Sequence, residues 1–331
     1  MPLINHCNGG GGTPQLCGQV ENFKAGLGNL SAILSWTAPS PDEDNSFVGA
    51  RIVRKTGSAP TGINDGTVVY EGTALTYTDT GLTAGTTYYY RAFAYNAKKK
   101  YQTAYRVASR TAMALNSNFA SNTWELIMEA CQGGSVPDTW VAGDSKAMTI
   151  DRVNYQFDIV GKNHDTYTAG GIAPLTFGMH DCYGTKYPMN STNTTSTGWD
   201  GSKMRTETLP VILAKMPVNI QNGIRAVNKL TATSGSSSTI KTASDKLFTF
   251  SEMEVYGSTT YSHSGEGKQY DYYKAGNSKV KKVDGTDSWW WLRSPMASTS
   301  DYFCAVSMSG SINITLSNAR NSNGVCFGFC F

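Results

Sequence analysis

Charge is scarce in this chain: Asp, Glu, Lys and Arg make up 16% of its 331 residues, where roughly a quarter is usual. With a net charge of only +3, no concentrated basic face is available to displace counterions, and nucleic-acid binding is not expected. Lys98, Lys99 and Lys100 form the single tight cluster and read as solvation of a hairpin tip. No apolar run approaches the roughly 20 residues that cross a bilayer, so membrane insertion is not expected. The N-terminus lacks a charged head followed by an apolar core, so no cleaved signal peptide is expected either. The seven cysteines (7, 17, 131, 182, 304, 326 and 330) are odd in number, scattered and without a CxxC pair. That argues against a complete disulfide framework and for synthesis in a reducing cytosol, with the cysteines as small buried hydrophobes. Catalytic signatures are missing as well: there is no GxSxG, no P-loop, no HExxH and no GxGxxG after a strand.

What the chain does have is glycine (34) and tyrosine (18), which favour a β-rich, turn-rich protein with a neutral polar surface. Its length points to two domains. Residues 1–17 read as a flexible lead-in; His6, Cys7 and Cys17 fall one ligand short of a metal site. Between residues 18 and 112, short strands recur with Gly, Pro and Asp turns, the pattern of a β-sandwich. The run Leu82 to Asn96 (LTAGTTYYYRAFAYN) resembles the fibronectin type III pattern around its tyrosine corner, with Tyr88 as the corner tyrosine and Trp36 as the early core tryptophan. Ala84 stands where that family usually has proline.

Residues 113–122 are expected as a polar linker, and 123–331 as an α+β domain. Trp124, Ile127, Met128 and Cys131 fall at helical spacing behind a cap at Asn122 or Thr123, with Gly133 and Gly134 as the stop. The spacing predicts short helices over Leu209–Lys215 and Val218–Lys229, a flexible loop over Ser234–Thr239 and a buried strand over Lys246–Phe250. His164-Asp165 and His180-Asp181-Cys182 are too short to be motifs and read as loop residues satisfying backbone groups. Glu252 and Glu254, two apart, do not face alike as an acid–base pair requires. No cofactor, metal site or active site is expected.

The C-terminal stretch is built differently. It opens on Trp289-Trp290-Trp291 and Leu292-Arg293-Ser294-Pro295, and closes on the apolar Val325 to Phe331. As a strand, Trp289 and Trp291 would share one face, with Trp290 on the other; they read as a core anchor more than as a sugar-stacking platform. Between these ends lie mostly Ser, Thr, Asn, Asp, Ala and Tyr, and Ile312, Ile314 and Leu316 alternate with polar residues in the strand period.

From about Thr123 to Phe331 the chain resembles an uncharacterised domain family of phage tail and bacterial surface proteins. The resemblance rests on stretches such as Gly161-Lys-Asn-His-Asp165, Thr176-Phe-Gly178, Gly198-Trp199, Asp245-Lys-Leu-Phe248, Glu254-Val-Tyr-Gly257, Gly265-Glu-Gly267 and Trp290-Trp-Leu-Arg-Ser-Pro295. The resemblance implies a variant of the C-type lectin fold related to the formylglycine-generating-enzyme branch. Its members often serve as variable proteins of diversity-generating retroelements, which mutate adenines in Asn codons near the 3′ end of the gene. On that implication the ligand-binding, variable positions are Ala297, Ser298, Ser300, Asp301, Tyr302, Ser307, Ser309, Ser311, Asn313, Thr315, Ser317, Asn318 and Asn321. Met296, Met308, Ile312, Ile314, Leu316, Phe327 and Phe329 are the expected frame. The EPN, QPD and WND motifs of calcium-dependent lectins do not occur, and Cys326/Cys330 match no copper-binding pair of the enzyme branch.

The expectation is a non-enzymatic receptor-binding protein of a phage or prophage tail tip, located in the virion. Its partners would be a host-cell surface receptor (protein or glycan) and other tail proteins, with a homotrimer as one expected assembly. The competing expectations are an enzyme of the formylglycine-generating type and a passive structural tail or surface protein.

Overall fold

The structure is a computed structural model that describes residues 17–40, 47–313 and 318–331. The chain is mostly β-sheet and divides into two compact units, 1–115 and 116–331.

Unit 1 contains β1 (Glu21–Gly28), β2 (Ser31–Thr37), β3 (Phe47–Thr56), β4 (Thr67–Gly72), β5 (Thr76–Asp79), β6 (Thr87–Asn96) and β7 (Arg106–Thr111). They form two antiparallel sheets, β1-β2-β5 and β4-β3-β6-β7. Alternating side chains from both sheets close one core, with Leu34 and Trp36 of β2 meeting Ala50 and Ile52 of β3 and Tyr90, Ala92 and Ala94 of β6. The rings of Phe23 and Tyr70 flank Trp36 at 6.2 and 5.5 Å. The Tyr88 hydroxyl accepts the Thr83 N–H at 3.1 Å, tying the turn before β6 back onto the strand. A buried polar cluster closes one side of the core, where Asp79 binds Arg54 at 2.8 Å and accepts the Tyr90 hydroxyl at 2.9 Å.

The boundary between the units falls within the stretch 113–122. Leu115 is buried and donates its N–H to Asn29 Oδ1 at 3.0 Å. Asn122, also buried, donates to the carbonyls of Asn116, Asn118 and Phe119 at 3.0, 3.0 and 3.2 Å and so fixes the entry to unit 2.

Unit 2 begins with α1 (Trp124–Gly133), capped by the Thr123 hydroxyl and ended by Gly134 at φ +67°. Next come β8 (Ser145–Ile150), β9 (Val153–Lys162), β10 (Leu175–Met179), a π-helical turn at Met204–Thr208, α2 (Leu209–Leu213) and α3 (Val218–Gly223). They are followed by β11 (Val227–Ser234), β12 (Ser237–Asp245), β13 (Phe248–Thr249), α4 (Glu252–Tyr256) and α5 (Asp271–Lys274). The chain ends with β14 (Lys281–Val283), β15 (Thr286–Ser288), β16 (Trp290–Pro295), β17 (Phe303–Val306), β18 (Ile312–Asn313) and β19 (Phe327–Cys330).

The main sheet runs β13-β19-β10-β9-β8, so the last strand of the chain lies inside it. Strand periodicity puts Phe327, Phe329 and Phe331 on one face, where their rings pack against Phe157, Phe177 and Trp124 at 5.2–6.2 Å. Such pairs add about 0.5–1.5 kcal/mol each beyond area burial.

The helix predicted over Val218–Lys229 stops at Gly223, and Val227–Ser234 is a strand instead. It pairs with β12 from Val227↔Asp245 to Ser234↔Ser237, so the Ser-rich stretch at 234–239 is a hairpin turn and the start of a strand, not a flexible loop. Of the tryptophans, Trp290 and Trp291 are both fully buried and Trp289 is half-buried. β16 is covered on both faces, and each indole N–H reaches a carbonyl, Trp290 to Lys279 at 2.9 Å and Trp291 to Tyr187 at 2.8 Å.

Candidate ligand-binding surface

The C-terminal candidates ride on the sheet β16-β17-β18. Its inner residues Trp290, Trp291, Leu292, Arg293, Phe303, Cys304 and Ala305 are all fully buried. The structure brings Ala297, Ser298, Ser300, Asp301, Tyr302, Asn318 and Asn321 together at one end of β17, where Tyr302 bridges Asn318 and Ala319 donates its N–H to the Asp301 carbonyl at 2.9 Å. Ser307, Ser309 and Ser311 lie at the other end, in the β17–β18 turn, and are not part of that group. Asn313 is described through its backbone, opposite Ala305. Thr315 and Ser317, with the expected frame residues Ile314 and Leu316, lie outside the described residues.

Exposure divides the set further. Ser298, Ser300, Ser309 and Ser311 stand in solvent, while Ala297, Asp301, Tyr302, Asn318 and Asn321 are half-buried. Ser307 is buried, because its N–H donates to the Ser311 carbonyl at 2.8 Å and its hydroxyl meets Ser309 Oγ at 2.9 Å to close the turn. Met308, expected as frame, is 52% exposed, so it contributes nothing to the core.

Backbone groups hold the first cluster in place. The N–H of Ala297 donates to Tyr261 at 2.7 Å, that of Ser298 to Gly235 at 2.8 Å, and that of Met296 to Tyr302 at 2.9 Å, while the Ser300 carbonyl accepts the Thr195 N–H at 2.7 Å. Behind them, the buried Glu252 carboxylate collects the N–H groups of Thr260 (2.6 Å), Tyr261 (3.1 Å) and Ser262 (2.7 Å). Ser262 in turn bridges Met296. The Ser294 hydroxyl accepts the Glu252 N–H at 2.9 Å, so β16, α4 and the 260–262 loop form one support.

A charge network lies deeper. Arg293, wholly buried, donates to Glu254 through both amino groups at 2.5 and 2.8 Å and to the carbonyls of Leu230, Thr249 and Glu266. Glu254 also meets Lys229 at 2.6 Å, and Lys229 continues to Asp165 (2.8 Å) and the Tyr270 hydroxyl (2.8 Å). Two cations thus face two carboxylates away from water. Burial alone would raise the Asp165 carboxyl, but the Lys229 charge and hydrogen bonds from Lys229 and Thr176 bring it down to about 2. Glu254 is lowered in the same way by Arg293 and Lys229, against its own burial. Glu266 moves up because its burial outweighs the nearby Arg293.

None of Asp165, Lys229, Glu252, Glu254 and Arg293 was expected as a working group. Glu252 and Glu254 are both buried on α4, but each serves a different partner set. His164 stacks on the Tyr270 ring at 3.9 Å between centroids, and burial lowers its pKa. His180 pairs with the buried Asp158 at 2.9 Å, a hydrogen bond that raises its pKa. The six described cysteines are buried and unpaired with one another. Burial raises the thiols of Cys131, Cys182, Cys304, Cys326 and Cys330, Cys326 to about 11. Among the described residues, no group of three or more His, Cys, Asp or Glu side chains has metal-binding geometry, and no helix is long and apolar enough to cross a membrane.

Residues 179–327 match a family model described only as a domain of unknown function, DUF6273. The match takes in the whole candidate surface and most of the buried network, leaving out Asp165. No curated protein matches the chain. Among solved structures, the chain is similar to the subject of a computer-based redesign of a β-sandwich protein (24% identity over 30% of this chain and 97% of that one, TM-score 0.23). It is also similar to a β-1,2-glucanase from Parabacteroides distasonis (16% identity, 36% of this chain and 15% of that one, TM-score 0.26). A third similarity is to the fibronectin type III domain of human fibronectin type III domain containing protein 3 (21% identity, 35% of this chain and 100% of that one, TM-score 0.24).

Proposed function

We propose that this protein is a non-enzymatic receptor-binding protein of a phage or prophage tail. In this reading unit 1 is a fibronectin type III module that positions unit 2, and unit 2 is a C-type lectin-like domain whose C-terminal surface contacts a host-cell receptor. The 3+4 antiparallel sandwich and the Tyr88–Thr83 hydrogen bond support the first half. The observation that carries the second is the division of labour in the last strands. Short polar side chains at 298, 300, 309 and 311 face solvent, while the sheet beneath them is fully buried. Exposed substitutions usually change stability by within about 0.5 kcal/mol, whereas core truncations cost several, so such a surface tolerates diversification.

The test is to sequence the 3′ end of the gene across many isolates of one lineage. Substitutions concentrated at the thirteen candidate positions, with Trp290 to Pro295 unchanged, are the expected result. Even scatter, or identity across 296–322, would instead favour a passive structural protein. Copper-dependent oxidation of a cysteine peptide would replace the reading with the enzymatic one.

A further inference from the structure

Two concavities in unit 2, about 540 and 490 Å³ in volume, share His164, Gly267 and Lys268 in their walls and so form one groove. Its floor is the buried Asp165–Lys229–Glu254 system. Together with Arg293 behind Glu254, those charges are spent on one another, so the floor is polar, fixed and close to neutral. The rim is different: Lys268 and Lys274 are exposed against the exposed carboxylate of Asp271, while the half-exposed Lys162 is paired with Asp138 at 3.9 Å.

Two ammonium groups, Lys268 and Lys274, to the one carboxylate of Asp271 leave the rim an excess of positive charge that favours an anion. Leu230 on one side and Met253 on the other are the only large apolar residues of the walls, too few for a lipid-binding cleft, which is lined predominantly by such residues. Asn228, Thr166 and Thr242 add an amide and two hydroxyls to the wall, suited to a ligand with many hydroxyls. Gly267, at φ +104°, keeps the junction open, since a Cβ there would sit 3.2 Å from Glu254 Oε1. The half-buried His164 lies where the two concavities meet, stacked on Tyr270.

We propose that this groove binds an acidic saccharide, with the sugar hydroxyls on Asn228, Thr166 and Thr242 at the junction and the carboxylate on Lys268 and Lys274. Burial keeps His164 largely neutral at pH 7, so its ring both accepts and donates hydrogen bonds to hydroxyls. The groove is separate from the candidate variable positions, none of which lines it. The proposal therefore stands or falls independently of receptor binding by the C-terminal surface.

The test is calorimetric titration of the full chain with hyaluronan tetrasaccharide and 3′-sialyllactose, with chitotetraose as the neutral counterpart. At least one acidic ligand is expected to bind at least tenfold more tightly than chitotetraose, and less tightly as salt rises. Lys268→Glu and Lys274→Glu change exposed side chains, so both variants fold, and each is expected to weaken acidic-ligand binding at least tenfold. The proposal is overturned if neither acidic ligand binds at millimolar concentration, if chitotetraose binds equally well, or if both charge reversals leave binding unchanged.

Discussion

Replacing Arg293 with methionine tests whether the buried charge network holds unit 2 together. The substitution keeps most of the side-chain volume but removes the bidentate bond to Glu254 and the donors to the Leu230, Thr249 and Glu266 carbonyls. It leaves Glu254 and Asp165, both buried, sharing one cation, Lys229. Breaking a buried pair from one side costs about 3–5 kcal/mol. For a urea m-value of roughly 2–3 kcal/mol/M, that lowers the midpoint by about 1–2.5 M. Tryptophan fluorescence is the assay, because of the seven tryptophans only Trp36 lies in unit 1. The double variant Arg293→Met/Glu254→Gln restores the balance, leaving Lys229 opposite Asp165, and Gln at 254 still reaches the Ser251 N–H that Glu254 accepts at 3.0 Å. It is expected to be more stable than Arg293→Met alone by about 1–2 kcal/mol, through removal of the uncompensated charge. A loss below about 1 kcal/mol in the single variant, or a further loss in the double, would refute the electrostatic account.

Tyr88→Phe removes the acceptor of the Thr83 N–H; it should cost unit 1 about 1 kcal/mol, read as a lower melting temperature with the fluorescence transition of unit 2 unchanged. Trp290→Ala should cost about 3–5 kcal/mol, against less than about 0.5 for Ser309→Ala, and equal costs in paired urea melts would contradict the separation of frame from surface. His180 gains a proton-dependent bond to Asp158, and its folded pKa lies above the unfolded value of about 6.5. Its contribution is therefore complete below about pH 6.5 and lost as pH rises through the folded pKa. His180→Gln should flatten that part of the stability–pH profile, and an unchanged slope would show that the pair is not coupled to folding.

The local signals in the sequence were legible where one segment determines its own structure. Thr123 caps α1 and Gly134 ends it because both act within a single turn. Short alternating strands gave the unit 1 sandwich for the same reason. The segment 218–229 misled because Val218 to Gly223 does form a helix, while the fate of Val227 onward is decided by pairing with β12, as far on as Asp245. The charge network was out of reach on different grounds. Asp165, Lys229, Glu254 and Arg293 are spread over much of unit 2, and each alone resembles an ordinary surface charge. Glu252 and Glu254 are both buried, each with its own partners, Glu252 on the 260–262 backbone and Glu254 on Arg293 and Lys229. The thirteen C-terminal positions came from a resemblance, and the structure adds the split into two ends of β17 that no periodicity conveys.

Because backbone bonds hold the candidate surface, its tolerance should depend on backbone geometry more than on side-chain chemistry. Ser298 shows this most sharply. It stands exposed at φ +65°, and its N–H donates to the Gly235 carbonyl. Left-handed backbone costs an ordinary L-residue about 1–2 kcal/mol, which glycine avoids and asparagine reduces. Proline is excluded twice, since its φ is fixed near −65° and it has no N–H to give. Ser298→Gly should therefore stabilise unit 2 by up to about 1 kcal/mol and Ser298→Val should destabilise it by a similar amount. Ser298→Pro should cost about 3 kcal/mol or more. Ser300 and Ser309, exposed without positive φ, should accept valine at little cost. A saturation library at 298, 300 and 309, scored by thermal stability, reads all of this at once. If position 298 tolerates valine and proline as readily as the other two, the loop is not held by its backbone, and the separation between a fixed chain path and free side chains fails with it.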